Sequence, residues 1–193
     1  MTIHIRLAEK DDAPLIRSFI DKLASYQKEG DSVRVNTSLL SAQLDSANPP
    51  FECLVAEFDD FPCGFALFYK NYSTWEGKPG IYLEDLYVEP DYRLHGIGRK
   101  LLIKLSEIAL ERGCTRLDWS VQSTNFKAIQ FYSVLGARPM PEWLKWRLDE
   151  ASMQELVNVE KGIYQFPEKI AEPVENRLKS VDCQDKNNLV RIY

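Results

Sequence analysis

Two glycines lie where a predicted strand passes into a predicted helix, in the stretch RLHGIGRK at residues 93–100. The first N–H groups of a helix have no partner within it and lie at the positive end of its dipole, so they bind phosphate readily. Gly96 and Gly98 have no Cβ that would hold an oxyanion away from this backbone. Arg93 and Arg99 add positive charge beside it. The stretch predicts a diphosphate site, although a plain tight turn would also favour these glycines.

Two familiar nucleotide-binding patterns fit the stretch poorly. A Rossmann fingerprint requires a third glycine, but residue 101 is leucine, even though Asp118 follows at about the spacing of a ribose-binding carboxylate. A P-loop requires Gly-Lys-Ser/Thr, whereas Gly98 is followed by Arg99 and Lys100. Neither pattern accounts for the loop.

Two carboxylates, Glu84 and Asp85, precede the loop in the predicted strand IYLEDLYV at 81–88. A carboxylate that faces a cleft can act as a general base, whereas one on a solvated strand face has no chemical role. Because neighbouring residues of a strand point to opposite faces, we expect at most one of the two to face a given cleft.

The periodicity of the chain predicts the elements that position these residues. Predicted strands lie at 3–7, 51–58, 63–72, 81–88, 115–121 and 146–148. Predicted helices begin at Asp11–Asp12, at Thr37, at Gly96 (to Arg112, with Gly113 as its C-terminal cap), at Asn125 (ending at Gly136) and at Glu150. The order β-α-α-β-β-β-α-β-α-β indicates an α/β (α+β) domain over 1–160, with a mixed sheet and helices on both faces. Residues 161–193 form a predicted C-terminal extension with scattered apolar residues.

The composition excludes several classes of protein. The chain of 193 residues, with 45% apolar and 27% charged residues, suits one globular domain. Its formal charge of −5 argues against nonspecific binding to nucleic acid or to anionic membranes. It shows neither a signal peptide nor a long apolar run, so we expect a cytoplasmic protein. Four scattered cysteines without a CxxC motif, and two histidines, argue against a zinc site, so we expect no metal.

The glycine loop also carries a family resemblance. Arg93-x-x-Gly96-x-Gly98 matches the [QR]-x-x-G-x-[GA] loop with which the GNAT acetyltransferases hold the diphosphate of coenzyme A. The stretches YSTWEGKPGIYLEDLYVEPDYRLHGIG (72–98) and NFKAIQFYSVLGA (125–137) resemble the diamine (spermidine/spermine) acetyltransferases, and more closely their thialysine-acetylating sister group. The likeness covers residues 3–160. One departure is Leu94, where this subgroup usually has glycine.

This resemblance implies a fold, a cofactor and its binding residues. The GNAT fold is a mixed, mostly antiparallel sheet with splayed central parallel strands, and acetyl-CoA is the co-substrate. The main chain of 86–88 would pair with the pantetheine arm, and Asn125 would contact the cofactor or cap its helix. The implied cofactor-binding residues are Leu86, Tyr87, Val88, Arg93, Leu94, His95, Gly96, Ile97, Gly98, Arg99, Asn125, Phe126, Ala128 and Tyr132.

The resemblance also assigns two catalytic roles. An alkylamine, with a pKa near 10.4, is protonated at neutral pH and must lose a proton before it attacks a thioester. Glu84 would draw this proton through water. Tyr132 would act as the general acid that protonates the sulfur of coenzyme A. From spacing alone, Tyr132 would be a packing residue with its hydroxyl at the rim.

The acceptor site and its alternatives follow from the same comparison. The residues implied are Tyr26, Gln27, Trp75, Tyr82, Glu84 and Glu142. Trp75 is equally compatible with a packed loop residue. The subgroup has a carboxylate where this chain has Gln27, so a thialysine-like or lysine-like amine is a better acceptor than a polyamine, unless Glu142 replaces part of that charge.

Two alternative functions stay open: a non-catalytic acyl-CoA-binding module and an acetyltransferase of protein tails. By resemblance, we expect a homodimer.

Overall fold

A five-stranded sheet is the centre of the computed structural model, which describes residues 2–161. Its strand order is β1-β2-β3-β4-β5, with antiparallel pairs from β1 to β4 and a parallel β4–β5 pair. The mixed sheet is confirmed. The strands are β1 Ile3–Leu7, β2 Glu52–Phe58, β3 Phe61–Ser73, β4 Lys78–Val88 and β5 Leu117–Trp119.

Five α-helices accompany the sheet in the described residues. Pro14 lies in the first turn of α1, where its missing N–H costs no hydrogen bond, and Lys28 ends the helix in a left-handed conformation. The side chain of Asn36 caps α2 by accepting a hydrogen bond from the Leu39 N–H. The helices are α1 Ala13–Gln27, α2 Thr37–Leu44, α3 Ile97–Glu111, α4 Phe126–Val134 and α5 Glu150–Glu160.

Helices pack on both faces of the sheet, as predicted. One face packs against α1 and α2 in an apolar cluster that includes Phe19 and Leu40. The other packs against α3 through Leu101 and Leu105, with Phe131 of α4 at its border. Burial of these apolar side chains stabilises the layered arrangement and fixes α3 and α4 beside β4 and β5.

The chain divides into two compact units, Met1–Arg138 and Pro139–Tyr193. In the described part of the second unit, Asp149 caps α5 by accepting a hydrogen bond from the Ser152 N–H, and α5 confirms the predicted helix. The predicted strand at 146–148 is wrong, since residues 139–149 contain no strand. Alternating apolar side chains suit a strand, but without a neighbouring strand to take their backbone hydrogen bonds they do not make one.

The boundary predicted at residue 160 stays a prediction, and the extension predicted for 161–193 lies outside the described residues apart from Lys161. None of the helices seen between residues 2 and 161 is long and apolar enough to cross a bilayer.

Candidate active site

The sheet opens between its two parallel strands. β4 pairs with β3 over its whole length, but it pairs with β5 only from Ile81 to Leu83. β5 itself is three residues long, although the sequence predicted a strand over 115–121. Beyond Leu83, the edge of β4 that faces away from β3 has no strand neighbour in the described part of the chain. The splayed parallel strands implied by the resemblance are therefore present.

A cavity of about 510 Å³ occupies this opening, and its walls come from the splayed strands, the glycine loop and α4. An adjoining cavity of about 860 Å³ shares Tyr26, Gln27, Gln122, Asn125 and Lys127 with it and also includes Phe126. The predicted site residues that line the first cavity are Tyr26, Gln27, Glu84, Leu86, Tyr87, Val88, Arg93, Leu94, Gly96, Ile97, Gly98, Arg99, Asn125, Ala128 and Tyr132.

A register shift in β4 brings both carboxylates to the cavity. Leu83 pairs with Phe68 and Asp85 with Leu67, which leaves Glu84 as an extra residue in β4. Such a bulge changes which face the following side chains take. Both Glu84 and Asp85 consequently line the cavity, and the expectation that at most one of them could do so is wrong.

The bulge was visible in the sequence as a change in apolar spacing. Ile81 and Leu83 pack on the α3 face of the sheet, and so do Leu86 and Val88, whereas strict alternation would have put residues 85 and 87 there. The shift from odd to even positions marks the extra residue. The sequence reasoning did not use this signal, and it therefore missed Asp85 as a cavity residue.

The environments of the two carboxylates differ. Glu84 is exposed, while Asp85 is half-buried. Burial, with a smaller contribution from the neighbouring Glu84 charge, raises the pKa of Asp85 to about 6. Asp85 is thus ionised above pH 6 and protonated below it, and at neutral pH the cavity holds two adjacent negative charges that suit a cationic amine.

The loop that precedes α3 leaves the start of the helix accessible. Gly96 has a φ of +81°, a conformation that suits glycine, and no side chain caps α3. Leu94 also has a positive φ, of +66°, and its side chain is fully exposed. With no acidic residue in its first turn, α3 offers unpaired N–H groups to an anion at the cavity wall.

Gly98 lines the cavity in the first turn of α3. A Cβ at this position would lie 3.4 Å from Cζ of Phe131 and 3.9 Å from a methyl carbon of Val88. Both are ordinary van der Waals distances, so an alanine would also fit here. A small residue at this position keeps the main chain of the first turn next to the cavity.

Tyr132 lies on α4 and lines the same cavity as Glu84 and Asp85. Its ring packs against Trp119, with centroids 4.9 Å apart, and against Phe131 at 5.3 Å. Burial raises the pKa of its phenol to about 12, so the hydroxyl keeps its proton at neutral pH. Asn125 caps the same helix by accepting a hydrogen bond from the Ala128 N–H at 3.2 Å, which confirms its structural role.

Some predicted site residues lie away from the first cavity. His95 packs on Phe58 with ring centroids 5.3 Å apart, and neither cavity is lined by His95, Trp75 or Tyr82. Tyr82 nevertheless stacks on Tyr69 and shares a 2.7 Å hydrogen bond with Ser120, a residue of the cavity wall.

Glu142 belongs to the second unit. Within residues 2–161, no group of three or more acidic, histidine or cysteine side chains has the arrangement of a metal site.

Comparisons with known proteins agree with this geometry. A family model described as Acetyltransferase (GNAT) family matches residues 18–137. The thialysine N-epsilon-acetyltransferase of Sus scrofa is 40% identical over 166 residues, which cover 80% of this chain and 97% of that protein. The human spermidine/spermine N(1)-acetyltransferase-like protein 1 is 33% identical over 80% of this chain but only 23% of its own length. A solved integron cassette protein from the mobile metagenome of V. cholerae has a TM-score of 0.69 at 29% identity, over 81% of this chain and 98% of that one.

Proposed function

Since the chain belongs to the GNAT acetyltransferase family and is an N-acetyltransferase, we propose that it moves the acetyl group of acetyl-CoA to the primary amine of a small cationic acceptor. One observation carries this proposal. A single cavity brings together an uncapped helix start, two carboxylates and a half-buried phenol. These are the groups that acyl transfer to an amine requires: an anion site for the donor, a proton acceptor and a proton donor.

The donor site is proposed at the open edge of β4 and the start of α3. Main-chain groups of Leu86, Tyr87 and Val88 would hold the pantetheine arm as an added strand, and the loop 93–99 would hold the diphosphate. Support comes from the left-handed Gly96 and from the absence of a side-chain cap on α3, which leaves the first N–H groups of the helix without a side-chain partner. Asn125, Phe126 and Ala128 would border the same group at the start of α4.

We assign the two proton transfers to different residues of the cavity. When bound, acetyl-CoA supplies a thioester that a neutral amine can attack directly in a ternary complex. Glu84 would take the proton of the incoming ammonium through water, and the ionised form of Asp85 would raise the negative charge around it. Tyr132, which keeps its proton because of its raised pKa, would donate to the sulfur as it leaves.

The acceptor is proposed to be a thialysine-like or lysine-like amine. Tyr26 and Gln27 line both cavities and so border the path by which an acceptor would enter. Gln27 carries no charge, which weakens the site for the distal ammonium of a polyamine. The relatives named for thialysine agree with this preference. Tyr82, Trp75 and Glu142 remain candidate acceptor contacts.

The assembly and location are also proposals. We infer a homodimer and a cytoplasmic location from the resemblance, and an absence of nucleic acid or membrane partners from the net charge of −5. The role of residues 161–193 follows from none of these observations.

Thiol release from acetyl-CoA tests the function directly. Thialysine, lysine, ornithine, spermidine and spermine would be compared side by side, and we expect turnover to be faster with the amino acids than with the two polyamines. Tyr132→Phe should lower kcat about a hundredfold, since general acid catalysis contributes at least that factor. Calorimetry should find acetyl-CoA binding unchanged within about twofold, because the aromatic ring remains.

The control is Tyr72→Phe, which removes the hydroxyl of an exposed tyrosine outside both cavities and should leave kcat unchanged. Acetyl-CoA binding without thiol release for any amine would contradict the proposal and favour a non-catalytic binding module. Normal turnover in the Tyr132→Phe protein would remove Tyr132 from its role.

A further inference from the structure

The C-terminal half of α1 packs along the end of β4 and the loop after it. Three side chains of the helix, spaced three and four residues apart, contact three side chains of β4 and the loop after it. Residues with this spacing share one face of a helix. The pairs, from the middle of the helix to its end, are Phe19 with Tyr87 (ring centroids 5.9 Å apart), Lys22 with Glu89 (an ion pair) and Tyr26 with Arg93.

The last of these pairs lies at the cavity. The Arg93 guanidinium carbon lies 5.3 Å from the ring centre of Tyr26 and 5.7 Å from that of Tyr87. Its Nε donates a 2.9 Å hydrogen bond to the carbonyl oxygen of Val88. The guanidinium is thus bound to the end of β4 and contacts two aromatic rings, one buried in the core and one at the cavity rim.

The buried ring is itself held in place. The Tyr87 hydroxyl donates a 3.1 Å hydrogen bond to Glu89, which also pairs with Lys22. Tyr26, by contrast, is half exposed, and α1 ends one residue after it. Of the two rings that Arg93 contacts, that of Tyr87 is buried and hydrogen-bonded, whereas that of Tyr26 is half exposed at the cavity.

We propose that Arg93 is a positioning residue for the acceptor, and that its guanidinium holds the ring of Tyr26 against the end of β4. This deepens the proposed function and rests on it, because Tyr26 lines both cavities at the acceptor side. The loop that binds the donor diphosphate through its main chain then also sets the position of the acceptor wall through a side chain.

The chemistry of arginine explains why lysine would not replace it. A planar guanidinium stacks on aromatic faces and keeps an N–H for the carbonyl of Val88, whereas an ammonium is a compact and strongly hydrated charge. Arg93→Lys therefore keeps the positive charge beside the loop but loses the contact with Tyr26. This difference separates a positioning role from charge neutralisation of phosphate.

The test compares the Michaelis constants of Arg93→Lys, Tyr26→Leu and the double variant with those of the wild type. We expect Arg93→Lys to raise the KM of the amine about two- to fivefold, the range of an exposed cation–π contact. The Kd of acetyl-CoA should stay within about twofold. In the Tyr26→Leu background, Arg93→Lys should have no further effect on the KM of the amine.

Two controls accompany these variants. Tyr26→Phe keeps the aromatic face and should keep the coupling to Arg93. Lys22→Gln breaks the neighbouring contact between α1 and Glu89, lies outside both cavities and should leave the KM of the amine within about twofold. A weaker affinity of Arg93→Lys for acetyl-CoA with an unchanged KM for the amine would overturn the proposal, as would additive effects in the double variant.

Urea unfolding of the wild type, Arg93→Lys, Tyr26→Leu and the double variant measures the contact between Arg93 and Tyr26 without an activity assay. Coupling of about two- to fivefold in the unfolding constant supports the Arg93–Tyr26 contact even if no amine is acetylated, in which case the proposed function alone fails. Coupling indistinguishable from one overturns the positioning role, whether or not the wild type is active.

Discussion

At the level of single residues, the cavity places two carboxylates that are neighbours in the chain in different environments. The extra residue in β4 turns both toward the opening, but it leaves Glu84 exposed and Asp85 half-buried. Burial favours the neutral form of Asp85 and raises its pKa to about 6. The phenol of Tyr132 differs from these acids, because its pKa of about 12 means that it keeps its proton at neutral pH and can donate it.

The enclosure of Asp85 predicts a pH-dependent cost in stability. Its pKa is higher in the folded protein, at about 6, than the ordinary value of 3.8 in the unfolded chain. The folded state therefore binds this proton more tightly, and the free energy of unfolding falls as pH rises from about 4 to 6 and then stays level. Asp85→Asn removes this loss and should stabilise the protein by about 3 kcal/mol at pH 7.

Urea unfolding at pH 4, 5, 6 and 7 measures this effect. The gain from Asp85→Asn should shrink to well below about 1 kcal/mol at pH 4, where the carboxyl is protonated in the folded protein and partly protonated in the unfolded chain. Asp91→Asn is the matched control at an exposed site, and it should change stability little at any of these pH values. A gain of equal size at all four pH values would show that Asp85 is not the titrating group.

At the level of elements, the loop between β4 and α3 combines a required glycine with a strained leucine. Gly96 takes a left-handed conformation at no steric cost, while Leu94 takes one with a side chain in place. Such a conformation costs an L-residue about 1–2 kcal/mol. The side chain of Leu94 is fully exposed and gains little from packing, so no described contact offsets this cost.

Leu94→Gly should consequently raise the free energy of unfolding by about 0.5–1 kcal/mol, after the greater entropy of glycine in the unfolded chain is subtracted. Leu94→Ala is the matched control, because it removes the apolar side chain but keeps the Cβ that causes the strain. Thermal or urea unfolding distinguishes the two. If Leu94→Ala stabilised the protein as much as Leu94→Gly, the strain would not lie in the backbone.

The elements that the sequence predicted well are those with strong local signals. The helix predicted from Gly96 to Arg112 is observed as Ile97–Glu111, with left-handed glycines just outside each end. Gly136 likewise follows the end of α4 in a left-handed conformation. A positive φ at glycine is a property of one residue, so such boundaries can be read from the sequence alone.

The elements that the sequence missed depend on neighbours elsewhere in the chain. TRLDWSV has the composition of a strand, yet β5 covers only Leu117–Trp119 because β4 turns away from it. The segment at 146–148 has the alternation of a strand but no strand conformation. Pairing and splaying are set by tertiary contacts, which override local preference.

The catalytic candidates follow from the family resemblance. Asp85 was not predicted as a cavity residue, because regular strand alternation does not include the bulge that turns it toward the cavity.

At the level of the whole molecule, the fold creates its cavity by leaving a sheet incomplete. Packing on both faces holds the five strands together, but the parallel pair separates after three residues and α3 and α4 close the gap from one side. The opening exposes a strand edge and a helix start to the same space. Both provide main-chain groups to this space, as the proposed donor site requires.

The most direct test is a crystal structure of the protein with coenzyme A. The account predicts that the diphosphate lies against the N–H groups of the loop 94–99, that the pantetheine arm runs along residues 86–88, and that the sulfur lies within hydrogen-bonding reach of the Tyr132 hydroxyl. A diphosphate bound elsewhere, or a sulfur that the Tyr132 hydroxyl cannot reach, would contradict it.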